Sequence, residues 1–142
     1  MKNLVVIYWS GTGNTEAMAN ALAEGAKIDG VEIKLLTVGQ ATIENVEGAD
    51  ALALGCPSMG AEQLEEGEME PFVEMISSAV KGKNLALFGS YGWGNGEWME
   101  QWQERMEDYG AKLVDDGLII HETPDEEGLE KCRELGKSLA KA

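Results

Sequence analysis

The sequence predicts a doubly wound α/β domain, with a parallel sheet covered by helices on both faces. Short apolar runs alternate along the chain with longer amphipathic stretches. Several of those runs are apolar at successive positions rather than at every second one, as in strands buried on both sides. Parallel strands need crossover connections, and right-handed crossovers place helices on both faces of the sheet.

The elements follow in order. Leu4–Tyr8 (LVVIY) is the first strand. Thr15–Lys27 is a helix with Met18, Ala21, Leu22 and Gly25 on one face, where small residues allow close approach to the sheet. Val31–Leu36 (VEIKLL) alternates more, as an edge strand does. Ala51–Gly55 (ALALG) is the third strand, Pro71–Val80 a helix after an acidic segment, and Leu85–Gly89 (LALFG) the fourth strand. Glu97–Tyr109 carries Trp98, Trp102, Met106 and Tyr109 at helical spacing, which assigns both tryptophans to the core. Leu118–His121 (LIIH) is the fifth strand. The last helix opens at Thr123-Pro124-Asp125-Glu126: a capping hydroxyl, proline at the first helical position, then acids at the positive end of the helix dipole. It runs to the C-terminus through Leu129, Cys132, Leu135 and Leu139. The expectation is one domain over residues 1–142, without linker or repeat.

The 142 residues include 11 Lys and Arg against 26 Asp and Glu, a formal charge of −15. Such a chain repels nucleic acid and anionic membranes, so neither is expected as a partner, whereas a basic protein patch is attracted. The apolar run Leu4–Trp9 is too short for a membrane span or a signal-peptide core. Cys56 and Cys132 form no CxxC pair, and two free thiols in a reducing cytoplasm are expected. The single histidine, His121, ends a strand and reads as structural. It leaves no basis for a His-rich metal site, and no metal is expected.

Ser10-Gly11-Thr12-Gly13-Asn14-Thr15 lies between the first strand and the first helix, where unpaired N–H groups and the positive helix end meet a ligand. Two glycines let the backbone wrap an anion, and Ser10, Thr12, Asn14 and Thr15 add four hydrogen-bonding side chains. The loop lacks the lysine of a P-loop, and Glu16 stands where a dinucleotide fingerprint needs its third glycine. A terminal phosphate here is held by neutral hydrogen bonds and the helix dipole. Two further loops open at the same edge, Cys56-Pro57-Ser58-Met59-Gly60-Ala61-Glu62 and Ser90-Tyr91-Gly92-Trp93-Gly94-Asn95-Gly96. Trp93 sits between two glycines that cannot bury it, which suits an indole covering something flat. Met59 offers a polarizable thioether for the opposite face. Trp9 either shields the phosphate loop or packs.

Taken together, the strings YWSGTGNTE (Tyr8–Glu16), LGCPSMG (Leu54–Gly60) and FGSYGWG (Phe88–Gly94) resemble the flavodoxins, in particular their short-chain group from anaerobic bacteria. The resemblance covers essentially the whole chain. It implies a five-stranded sheet in the order 2-1-3-4-5 and a non-covalently bound flavin mononucleotide (FMN). Ser10, Gly11, Thr12, Gly13, Asn14 and Thr15 are then the phosphate loop, with Met59 and Trp93 flanking the isoalloxazine. The Gly60 peptide turns over to present its carbonyl to N5–H on reduction, and Glu62 accepts from N3–H. Ser58, Ser90, Tyr91, Gly92 and Gly94 complete the set. Close relatives often carry a polar residue at the position of Ala61. The implied function is low-potential electron transfer, mainly between semiquinone and anionic hydroquinone, without substrate chemistry of its own and so without catalytic residues. The alternative is an FMN-dependent quinone reductase. Implied partners are redox proteins with basic docking patches, met by a cytoplasmic monomer. Glu62, Glu65, Glu66, Glu68 and Glu70, with no base among them, are expected to lower the second potential in roughly additive steps.

Overall fold

A computed structural model describes residues 2–142. The parallel sheet is built from β1 (Lys2–Tyr8), β2 (Val31–Thr37), β3 (Ala51–Gly55), β4 (Asn84–Tyr91), β5 (Lys112–Leu113) and β6 (Leu118–His121). The strand order is β2-β1-β3-β4-β5, with β6 also on β4. The fifth position of the sheet is therefore two short strands rather than one. Leu85 pairs with Leu113 and Phe88 with Leu118, so the register offset grows by two residues between them. Val114-Asp115-Asp116-Gly117 loops out to absorb the difference.

Side chains of β1 alternate between two cores, as period-two geometry requires. Leu4, Val6 and Tyr8 pack with Met18 and Leu22 of α1 (Asn14–Gly25) and with Cys132, Leu135 and Leu139 of α5 (Glu126–Lys141). On the other face, Val5 and Ile7 pack with Phe72 and Val73 of α3 (Met69–Met75) and with Trp98 and Trp102 of α4 (Glu97–Asp108). Both tryptophans are fully buried, as expected from their spacing.

Met18, Ala21 and Leu22 of α1 share a core with β1 as expected, but Gly25 has a different use. A Cβ on Gly25 would lie 1.9 Å from the Arg133 carbonyl oxygen, and one on Gly136 would lie 1.9 Å from that of Leu22. Gly25 thus lets α1 approach α5, not the sheet. The last helix also starts later than expected: Asp125, not Thr123, is its N-cap, with Oδ1 accepting from the Gly128 N–H at 2.8 Å. A five-residue helix that the sequence reading did not identify, α2 (Ile43–Glu47), is closed by a capping box between Thr42 and Asn45.

β1 and β3 are neighbours, and the chain leaves β1 for β2 on one side and β3 for β4 on the other. The loops after β1 and β3 separate there and open a crevice at the carboxyl edge.

Candidate functional site

A cleft of about 290 Å³ occupies that crevice. Ser10, Gly11, Thr12, Asn14 and Thr15 form one wall, with Ser58 and Met59 after β3 and Ser90, Tyr91 and Gly92 after β4 forming the rest. Trp9 and Pro57 also line it, and so does Glu122, which sequence reasoning missed. Glu122 holds a left-handed backbone (φ 58) beyond the end of β6, and its N–H donates to the Tyr91 carbonyl at 2.7 Å. Five of the expected residues do not line the cleft: Gly13, Gly60, Glu62, Trp93 and Gly94.

The first loop is shaped from inside. Ser10 Oγ accepts from the N–H groups of Gly13 and Glu16, at 3.1 and 3.3 Å. Gly13 is the N-cap of α1 at φ 96, a conformation that favours glycine, and its side offers no capping oxygen. Among the described residues, the backbone N–H groups of Gly11, Thr12, Asn14 and Thr15 find no acceptor. Four unpaired donors at the positive end of a twelve-residue helix make an anion site without any basic side chain. The Thr15 hydroxyl is not among the free groups. It shares a 3.0 Å hydrogen bond with Ser90 Oγ, both buried, which ties the first loop to the end of β4.

The second loop is a tight hairpin. Met59 and Gln63 exchange both backbone hydrogen bonds, at 2.8 and 3.0 Å, around Gly60-Ala61-Glu62. Gly60 sits at φ 50 and Glu62 at φ 52. The Glu62 side chain turns inward, and its Oε1 accepts from the N–H groups of Asn95, Gly96 and Glu97 at 3.1, 2.9 and 3.0 Å. α4 has Gly96 at its N-cap, with no side chain to cap it, so Glu62 caps it from another loop. One carboxylate therefore joins the hairpin that carries Met59 to the loop that carries Trp93. Gly94 backs directly onto it, since a Cβ there would lie 2.3 Å from Glu62 Cδ. Trp93 projects beyond the cleft, 68% exposed.

The acidic run is not the uncompensated charge that the sequence suggested. Besides Glu62, Glu65 accepts from Gly67, Glu68 and Met69 at the start of α3. Partial burial pushes the Glu65 carboxyl upward, but those three N–H bonds outweigh it and hold it below the usual carboxylate range. Glu66 accepts from the Gln63 amide, and Glu68 from Trp9 Nε1 at 3.2 Å. Glu70 makes a bidentate pair with Arg105, at 2.8 and 2.6 Å. A base does offset the run, supplied by α4 rather than by the run itself. Below it, Cys56 is buried and its thiol is pushed up to about 12, mainly by desolvation.

Fold and cleft together define a doubly wound α/β protein with a donor-rich loop and a cleft at its switch point. The flavodoxin family model matches residues 6–136. The chain is 47% identical to the flavodoxin of Clostridium beijerinckii, covering 95% of this chain and 97% of that one. It is 44% identical to the flavodoxin of Megasphaera elsdenii, covering 96% and 98%. The solution structure of the two-electron reduced Megasphaera elsdenii flavodoxin superposes with a TM-score of 0.89 at 43% identity, covering 98% and 99%. The chain belongs to the flavodoxin family, and it is an FMN-binding electron-transfer protein. The residues fit that cofactor: the unpaired donors of the first loop suit its phosphate, and the cleft extends from them to Met59 and Tyr91.

Proposed function

We propose that this chain is a cytoplasmic, monomeric electron carrier with one flavodoxin-like domain over residues 1–142 and no substrate chemistry of its own. Bound FMN supplies the redox-active ring. The observation that carries the residue assignment is the set of unpaired N–H groups at Gly11, Thr12, Asn14 and Thr15, four residues that line the cleft at the switch point. They hold the phosphate, with Thr12 and Asn14 side chains beside them, Ser10 and Gly13 shaping the loop, and Thr15 braced against Ser90. Met59 and Trp93 flank the ring, and the exposure of Trp93 supports a role in covering a flat ligand. Glu62 keeps Oε2 for the flavin N3–H while Oε1 caps α4. Gly60 presents its carbonyl to N5–H. Ser58, Tyr91, Gly92 and Gly94 close the edges.

Electrons arrive from and leave to redox proteins with basic docking patches. Support comes from the distribution of charge. None of the segments leaving the carboxyl ends of the strands (9–13, 38–42, 56–68, 92–96 and 122–125) contains a Lys or Arg. Lys2, Lys83 and Lys112 stand at or beside strand starts, at the opposite edge. Among the described residues no helix is long and apolar enough to cross a membrane.

A stepwise dithionite titration of the holoprotein, followed by absorbance, tests the carrier reading. Two resolved reduction steps are expected, without turnover of NADPH and a quinone; steady turnover would instead support a reductase. The same titration tests the acidic run. Glu66→Gln with Glu68→Gln should raise the second potential by about 25 mV per charge, from ~0.5 kcal/mol at about 10 Å and an effective dielectric of about 60. Glu62, Glu65 and Glu70 are held in caps and an ion pair, so their glutamine variants should not follow that additive series. A double variant with an unchanged second potential would remove the run from redox tuning.

A further inference from the structure

His121 is the chain's only histidine, and it stands beside the cleft. In the sheet it pairs with Tyr91, which lines the cleft. The two rings lie 5.1 Å apart, centroid to centroid, tilted by 58°. The next residue, Glu122, also lines the cleft, and its Oε1 is 3.8 Å from His121 Nε2. The imidazole is 58% exposed, open to protons from solvent. Its other charged neighbours belong to α5 and the turn before it: Asp125, Glu127 and Lys131 border the same surface pocket.

The segments that open at this edge hold neither Lys nor Arg. Histidine is the side chain whose ordinary titration falls between pH 5 and 8. His121 is therefore the one group at the edge that can add positive charge beside the ligand near neutral pH.

We propose that His121 couples proton uptake to reduction of the bound flavin, acting across the Tyr91 ring and beside Glu122. The proposal rests on the placement of the flavin in this cleft. The electron comes from the donor protein and the proton from solvent. The proton adds to the free imidazole nitrogen, and no bond to the flavin forms or breaks in that step. The added negative charge favours His121 in its protonated form. By linkage, protonated His121 favours the more reduced state to the same extent. Glu122, Asp125 and Glu127 favour the imidazolium, whereas Lys131 opposes it.

A single histidine makes the test direct. The Cε1–H resonance of His121 is titrated by NMR in the oxidised and fully reduced holoprotein, two states with the same phosphate. The midpoint should be higher in the reduced protein by roughly 0.3–0.6 of a pH unit, for one charge about 10 Å away at an effective dielectric of about 40–80. His121→Asn should flatten the pH dependence of the second potential between pH 5.5 and 8. Glu122→Gln should lower the His121 midpoint in both states. Equal midpoints in the oxidised and reduced proteins would overturn the coupling. The Tyr91 ring protons, read in the same spectra, separate this from the flavin placement. If they move on FMN binding while the His121 midpoint does not respond to reduction, the coupling fails and the placement stands. If they do not move, the placement itself fails, and the coupling with it.

Discussion

Replacing Glu62 with alanine is expected to destabilise the apoprotein by about 2–4 kcal/mol and to weaken FMN binding at the same time. Three backbone N–H groups at the start of α4 lose their acceptor, and Gly96 has no side chain to replace it. Hydrogen bonds to a charged group contribute about 1.5–3 kcal/mol each, and their effects overlap when one oxygen takes all three. That loss is large against a total stability of about 5–15 kcal/mol. Water reaches part of the exposed loop and offsets some of it. The same substitution frees the Met59 hairpin from the Trp93 loop, so the two loops proposed to flank the flavin lose their fixed spacing. Glu62→Gln keeps an acceptor oxygen and should lose about half as much. Gly94→Ala should resemble Glu62→Ala, because its Cβ would displace the carboxylate. Urea denaturation of the apoproteins measures this. An alanine variant as stable as the parent would mean that α4 does not depend on Glu62.

Gly60→Val is expected to bring the two reduction steps closer together by about 40–90 mV. Gly60 already lies at φ 50, and a Cβ there would meet only the Gln63 amide at 3.9 Å. The obstacle is conformational, not steric crowding from neighbours. A left-handed residue other than glycine costs about 1–2 kcal/mol, and a β-branched one sits at the upper end. The cost moves the two potentials together to the extent that the proposed turn-over of the Gly60 peptide, which presents its carbonyl on reduction, needs the positive φ more than the unturned hairpin does. One kcal/mol corresponds to about 43 mV for one electron. Potentiometric titration of the variant checks this. An unchanged separation would take the Gly60 carbonyl out of the account.

The strands were legible because burial on both faces leaves continuous apolar runs, as in LVVIY and ALALG. The edge position of β2 showed in its alternation. α2 escaped because five residues give no helical period, although Thr42 and Asn45 already spelled its capping box. The two-residue strand Lys112–Leu113 escaped because two residues carry no pattern, although Asp115-Asp116-Gly117 marked a turn before Leu118. Thr123 was read as the helix cap and Asp125 as part of the first turn because residue type does not separate them: both cap well. That the loop at residues 10–15 lines the cleft was legible because its signal is local: two glycines, hydroxyls and a helix start within six residues. The roles of Glu62, Glu65 and Glu70 divide on the same ground. Glu65 caps its own neighbours, whereas the Glu62 and Glu70 partners lie more than thirty residues away and only tertiary packing brings them in. Glu122 had no local signature, because its place in the cleft follows from the pairing of β6 with β4.

The central claim is that the neutral loop at residues 10–15 recognises a phosphate. The most direct measurement is a titration of the apoprotein with FMN and with riboflavin, followed by flavin fluorescence in one buffer. One FMN per chain should bind, and riboflavin should bind at least about 100-fold more weakly. That ratio corresponds to ~2.7 kcal/mol, from several charge-assisted hydrogen bonds to backbone N–H groups and the helix dipole. Thr12→Ala should narrow the ratio by weakening FMN alone. Equal affinity for FMN and riboflavin would contradict the account, because the four unpaired N–H groups would then hold no phosphate.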